Sequence, residues 1–137
     1  MNYVLLLSIL EEIEAMSETS MRILVVDDEP MIGDLIEGML VSLGYDVKKA
    51  NCGAMALGMI STDQFDLVIT DYLMPEMRGD ELSSALKADF PELPVVMITG
   101  MCDTLEEHQG VDSLLAKPFT RDALLSVVEG VLGRTGA

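Results

Sequence analysis

The stretch DLVITDYLMP, residues 66–75, decides how the rest of the chain is read. A short apolar run between polar residues, closed by Pro75, predicts a buried parallel strand over 66–71 that ends on the carboxylate of Asp71. In an open α/β sheet, ligands gather outside the carboxyl ends of the strands, so an acid at that position faces the crevice where chemistry takes place. Asp71 is the candidate nucleophile. Taken alone it is explained better by a turn cap, and only the remaining residues overturn that reading.

Working outward, strands and helices alternate from Met21 onward. Residues 23–26 form a first buried strand, and Pro30 suits the first turn of a helix whose Ile32, Leu35, Ile36, Met39, Leu40 and Leu43 repeat at helical spacing before Gly44. Residues 45–50 read as a second strand and 53–60 as a second helix. Residues 79–88 follow as a helix stopped by Pro91, then 94–99 as the fourth strand and 111–115 as the fifth. A last helix begins near Thr120, a suitable N-cap, and carries Leu124, Val127, Val128, Val131 and Leu132 on one stripe. Five βα repeats imply a parallel sheet with helices on both faces and right-handed crossovers.

Composition narrows the function. The 137 residues suit one domain, and Lys+Arg 8 against Asp+Glu 24 gives a net charge of -16, which repels nucleic-acid phosphates and anionic membrane surfaces. Cys52 and Cys102 form no CxxC and flank no histidine pair, so they read as reduced thiols of a cytoplasmic protein. Residues 4–10 are strongly apolar but far short of the roughly 20 that a spanning helix requires, and no Lys or Arg precedes them as in a secretory signal. We divide the chain into an extension over 1–20, a domain over 21–133 and a tail over 134–137. The extension reads either as a short docking helix or as residues ahead of a start at Met16 or Met21.

Four strand ends carry polar residues of complementary kinds. Asp27 and Asp28 close the first strand, Asp71 the third and Thr99 the fourth, while Lys117 follows the fifth. Parallel strands would bring these ends to one edge. Three carboxylates crowded there raise one another's pKa unless a hard, oxygen-seeking cation lies between them, and Mg²⁺ is the natural occupant. It accepts one or two carboxylates and leaves coordination positions for a phosphoryl oxygen. Each residue alone has a plainer account. Asp27 and Asp28 could answer a helix dipole, Thr99 could bond backbone, and Lys117 could be solvated surface. Together those accounts require four coincidences at the edge where this architecture builds its sites.

Val25-Val26-Asp27-Asp28-Glu29, Asp71-Tyr72-Leu73-Met74-Pro75 with Gly79 behind it, Ile98-Thr99-Gly100 and Lys117-Pro118-Phe119 resemble the receiver domain of bacterial two-component response regulators over residues 22–133. The resemblance implies a flavodoxin-like three-layer α/β/α fold, with a five-stranded parallel sheet in the order 2-1-3-4-5. It implies that Asp71 accepts a phosphoryl group from a histidine kinase or histidine phosphotransfer protein. By the same resemblance Mg²⁺ is held by Asp28, by Asp27, by Asp71 and by the backbone carbonyl of Leu73. Thr99 and Lys117 would bind the phosphoryl oxygens, Gly100 would keep the approach open, and the Lys117–Pro118 bond would be cis. A downstream protein target is implied but not identified. The chain would catalyse only its own phosphorylation and dephosphorylation.

Two features depart from the family. Leu114 stands three positions before the lysine, where an aromatic switch residue is usual, and only about 103–109 remain for the helix between the fourth and fifth strands, with Asp103 and Glu106 as its capping box. That helix is expected to be short. Two further readings stay open: a receiver-like module that is never phosphorylated, and a hydrolase of the haloacid dehalogenase type. The hydrolase would want a second Asp two positions after its nucleophile, and Asp27 is followed there by Glu29. His108, the single histidine, is expected at the surface.

Overall fold

The computed structural model describes residues 2–18, 20–100, 108 and 110–135, with the backbone alone at 12–18 and 134–135. The elements run α1 (Tyr3–Glu18), β1 (Arg22–Val26), α2 (Pro30–Val41), β2 (Asp46–Ala50), α3 (Gly53–Thr62), β3 (Leu67–Asp71), α4 (Gly79–Asp89), β4 (Val95–Thr99), β5 (Ser113–Ala116) and α5 (Arg121–Thr135). The five strands form one parallel sheet in the order β2-β1-β3-β4-β5. This is the flavodoxin-like arrangement the sequence implied.

Strand alternation divides the core into two layers. Ile23, Val25, Ile69, Val96 and Ile98 face α2 and α5, where Ile36, Leu40, Leu124 and Val128 meet them. Leu24, Val26, Val68 and Val95 face α3 and α4 and pack on Ala56, Ile60, Leu82 and Leu86. β3 and β4 are buried along their whole length, as continuous apolar runs of central parallel strands should be. β2 lies at the edge and exposes Lys48 and Lys49.

Several boundaries differ from the sequence reading. Asp66 stands outside β3 because its carboxylate accepts the Arg22 backbone N–H at 2.8 Å. β5 begins at Ser113 rather than 111, since the Asp112 carboxylate turns back to accept from the Val95 N–H at 2.7 Å and Lys87 Nζ at 2.8 Å. α5 runs through Gly133 to Thr135, and Thr120 caps its start by accepting the Ala123 N–H at 3.1 Å. The helix expected over 103–109, with Met101, Cys102 and its capping box, lies outside the described residues.

One stripe of α4 holds the return into β5. Asp80, Ser83 and Lys87, at helical spacing on one face, reach His108, the Gly110 carbonyl and Asp112 respectively, at 3.2, 2.7 and 2.8 Å.

Candidate functional site

The site is built where β1, β3 and β4 end and the chain leaves β5. Asp27 extends the ladder one residue beyond β1, its N–H donating to the Ala50 carbonyl at 3.1 Å. Its side chain is buried, and Oδ1 accepts the Glu29 N–H at 2.8 Å, so the carboxylate is fixed by the turn that leads into Pro30. Asp28 is exposed. Asp71, the last residue of β3, is 6% exposed. Asp27, Asp28 and Asp71 each offer a carboxylate oxygen within 4.8 Å of the others.

Lys117 completes the group. Its N–H continues the β4–β5 ladder by donating to the Thr99 carbonyl at 2.9 Å, and its Nζ stands 3.0 Å from Asp71 Oδ1. The Lys117–Pro118 bond is cis. Thr99 is buried at the end of β4. Gly100 is exposed, and a Cβ placed there would meet nothing within 4 Å among the described residues. Leu73 is 62% exposed just beyond the strand, and Leu114 is half-buried on β5 opposite Met97.

Electrostatics favour a cation. Burial chiefly, and then the charge of Asp71, push the Asp27 carboxyl above its ordinary value, although the Glu29 N–H and Lys117 pull the other way. Burial disfavours the Lys117 ammonium, but its hydrogen bond and attraction to Asp71 outweigh this and hold its pKa above the usual value. One ammonium thus faces three carboxylates, and the strain of the imbalance is visible in Asp27. That imbalance, with an all-oxygen donor set, fits Mg²⁺.

Two features of the site were not legible beforehand. Gly79 N–H donates to the Tyr72 carbonyl at 2.8 Å, and a Cβ on Gly79 would lie 2.3 Å from the Asp71 carbonyl oxygen. Only glycine lets α4 start against the backbone of Asp71. His108 is not at the surface: it is 6% exposed, its Nδ1 lies 3.2 Å from Asp80 Oδ2, and its ring stands edge-on to Tyr72 at 5.0 Å. Tyr72 in turn gives its N–H to Asp71 Oδ1 at 3.0 Å. The aromatic beside Asp71 was the available signal, but its partners come from α4 and from the approach to β5, which no local spacing brings together.

A family model described as the response regulator receiver domain matches residues 23–129. The sensor histidine kinase RcsC of Salmonella typhi is 41% identical over 112 residues, which are 79% of this chain and 12% of that protein. The response regulator MprA of Mycobacterium avium is 35% identical over 120 residues, 84% of this chain and 52% of that protein. The chain therefore spans about half or less of these curated relatives. Among solved structures, a CheY-like response regulator receiver domain protein of Methanospirillum hungatei superposes with a TM-score of 0.80 at 28% identity, covering 86% of this chain and 98% of that one. The response regulator TrrA of Thermotoga maritima, in complex with Mg²⁺-BeF, superposes with a TM-score of 0.74 at 30% identity, covering 81% and 98%.

Proposed function

Because the chain belongs to the response regulator receiver family, we propose that it accepts a phosphoryl group on Asp71 from the phosphohistidine of a kinase or phosphotransfer protein, in a Mg²⁺-dependent reaction. The observation that carries this reading is the convergence on Asp71 of two further carboxylates and one ammonium. Asp27, Asp28, Asp71 and the Leu73 carbonyl would hold Mg²⁺, which when bound neutralises the carboxylates and the incoming phosphoryl oxygens.

The chain's own residues supply the rest. Among the described residues, the hydrogen bonds to the Asp71 carboxylate fall on Oδ1, from Lys117 Nζ and the Tyr72 N–H, which leaves Oδ2 as the attacking oxygen. As the new O–P bond forms, the P–N bond to the donor imidazole breaks and its electron pair leaves with that nitrogen, giving an acyl phosphate. Lys117 acts as a point charge on a phosphoryl oxygen, and the Thr99 hydroxyl donates to another. Asp27 and Glu29 hold the approach rigid through their shared turn.

The output is a relay or sink for phosphoryl groups, or a protein contact made away from the usual aromatic switch. The half-buried Leu114 offers no hydroxyl and little volume to exchange between two packings. Neither the never-phosphorylated module nor the hydrolase is favoured, since acids, threonine and lysine are all present at one edge. Acetyl phosphate with Mg²⁺ should add the mass of one phosphoryl group to the parent and nothing to Asp71→Asn. Labelling of that variant at another residue would remove Asp71 from the mechanism.

A further inference from the structure

Two apolar surfaces are left over by the fold. One is the amino-terminal half of α1, where Tyr3, Val4, Leu5 and Leu7 are 73%, 76%, 60% and 57% exposed and Leu6, Ile9 and Leu10 complete the circumference. A helix of 16 residues is marginal in water, and α1 has no basic residue to pair with Glu11, Glu12 or Glu14, so packing must hold it. The other is a groove of about 720 Å³ at the amino-terminal edge of the sheet, at the opposite end from Asp71. Met21, Ile60, Phe65, Phe90, Leu93 and Leu132 stand in its walls. Phe90 is 41% exposed there.

We propose that α1 of one copy seats its apolar half in this groove of a second copy, and reciprocally, closing a two-fold dimer. A helix cannot serve its own groove this way. From Met21 to Pro94 the groove crosses two strand spacings, about 10 Å, whereas Leu10 lies eight residues before the last residue of α1, Glu18, roughly 12 Å along the helix. Folded back on its own domain, α1 would lay Glu11, Glu12 and Glu14 over the groove, whose rim already carries Asp63, Asp66 and Glu92. Exchange instead brings the uncharged residues 3–10 to that rim. The groove lies within the roughly 300–1,000 Å³ range of sites that enclose a whole small molecule, room for one side of a two-turn apolar helix. Reciprocity doubles the contact, which a pair of copies needs to approach the ~800 Å² per partner of a stable interface.

Lipid is the weaker occupant, because the chain carries -16 and no Lys or Arg precedes Arg22. The dimer also leaves the Asp71 edge of both copies open. This inference does not depend on the phosphoryl chemistry.

Sedimentation equilibrium at near-physiological salt should give the wild type at twice the 14.9 kDa of the chain. Leu6→Glu, Phe90→Glu and Thr62→Arg, the last at an exposed position on the groove, should each sediment as monomers whose circular dichroism differs from the wild type's by no more than the helical signal of α1. Mixing Leu6→Glu with Phe90→Glu should restore association, weaker than that of the wild type, because one intact helix then meets one intact groove while the reciprocal contact stays broken. A monomeric wild type overturns the proposal, and so does a dimer that survives both Phe90→Glu and Thr62→Arg, which would be a pair of α1 helices. Capture of a monomeric wild type by vesicles of mixed zwitterionic and anionic lipid also overturns it, in favour of a membrane contact.

Discussion

At the scale of single residues, space and charge around Asp71 make separable demands. Gly79 has no room for a side chain: a methyl would press on the Asp71 carbonyl at 2.3 Å, and neither backbone can retreat without moving β3 or α4. Gly79→Ala should therefore cost about 2–3 kcal/mol in denaturant unfolding, while Gly100→Ala, which meets nothing within 4 Å among the described residues, should leave stability unchanged. Equal effects of the two would show that crowding at Gly79 is relieved elsewhere. Asp27 makes the charge demand. Its folded pKa is raised above 3.8, by burial first and by Asp71 second, so the folded protein holds that proton more tightly than the unfolded chain. Stability then falls as pH rises from about 3.8 through the folded value, and above it the full penalty is present. In metal-free buffer at neutral pH, Asp27→Asn, which can still accept from the Glu29 N–H, should unfold at a higher temperature than the parent. The difference should vanish as pH drops below 3.8. A gap independent of pH would mean the gain is not electrostatic.

At the scale of elements, what the sequence made legible was whatever is written locally. Continuous apolar runs marked β1, β3 and β4, helical spacing marked α2 and α5, and strand-end polar residues marked the site. What it hid was contact between distant segments. Val111 and Asp112 resemble the opening of a strand, but Asp112 is spent on Lys87 and the Val95 N–H, so the strand starts at Ser113. His108 looks like surface until Asp80 and Tyr72 are brought to it from two other segments. These hidden contacts bear on output. α4 begins against Asp71 through Gly79 and grips the return into β5 through Asp80, Ser83 and Lys87. Leu114 offers the alternative route through β5 little to bias. Beryllofluoride, as a mimic of the phosphoryl group, should therefore shift amide resonances at Tyr72, along α4 and at Gly110 and Asp112 more than at Leu114 and along α5. Ser83 is fully buried and donates to the Gly110 carbonyl at 2.7 Å, so Ser83→Ala should shrink the shifts at 110–112 and leave those at Tyr72. Large shifts running from Thr99 through Leu114 into α5 would show that the usual switch operates here.

At the scale of the whole molecule, the net charge of -16 and the acidic edge respond to ions in different ways. Self-repulsion of the body is long-range and yields to any salt, with a Debye length of about 10 Å at 0.1 M. The three carboxylates at the ends of β1 and β3 lie within 4.8 Å of one another, inside that length, so screening reaches them poorly, and the proposed Mg²⁺ would act on them where sodium does not. Sodium chloride should accordingly raise the unfolding temperature gradually, and magnesium chloride at matched ionic strength should raise it further. At a hundredfold excess over its dissociation constant, the ion contributes about 2.7 kcal/mol, roughly 5–10 °C for a domain of this size. Asp28→Asn should keep the response to sodium and lose most of the extra response to magnesium, because Asp28 is exposed and the body's charge hardly changes. If the variant retained the full magnesium increment, the ion would be acting on the diffuse charge of the surface, and the acidic edge would not be its site.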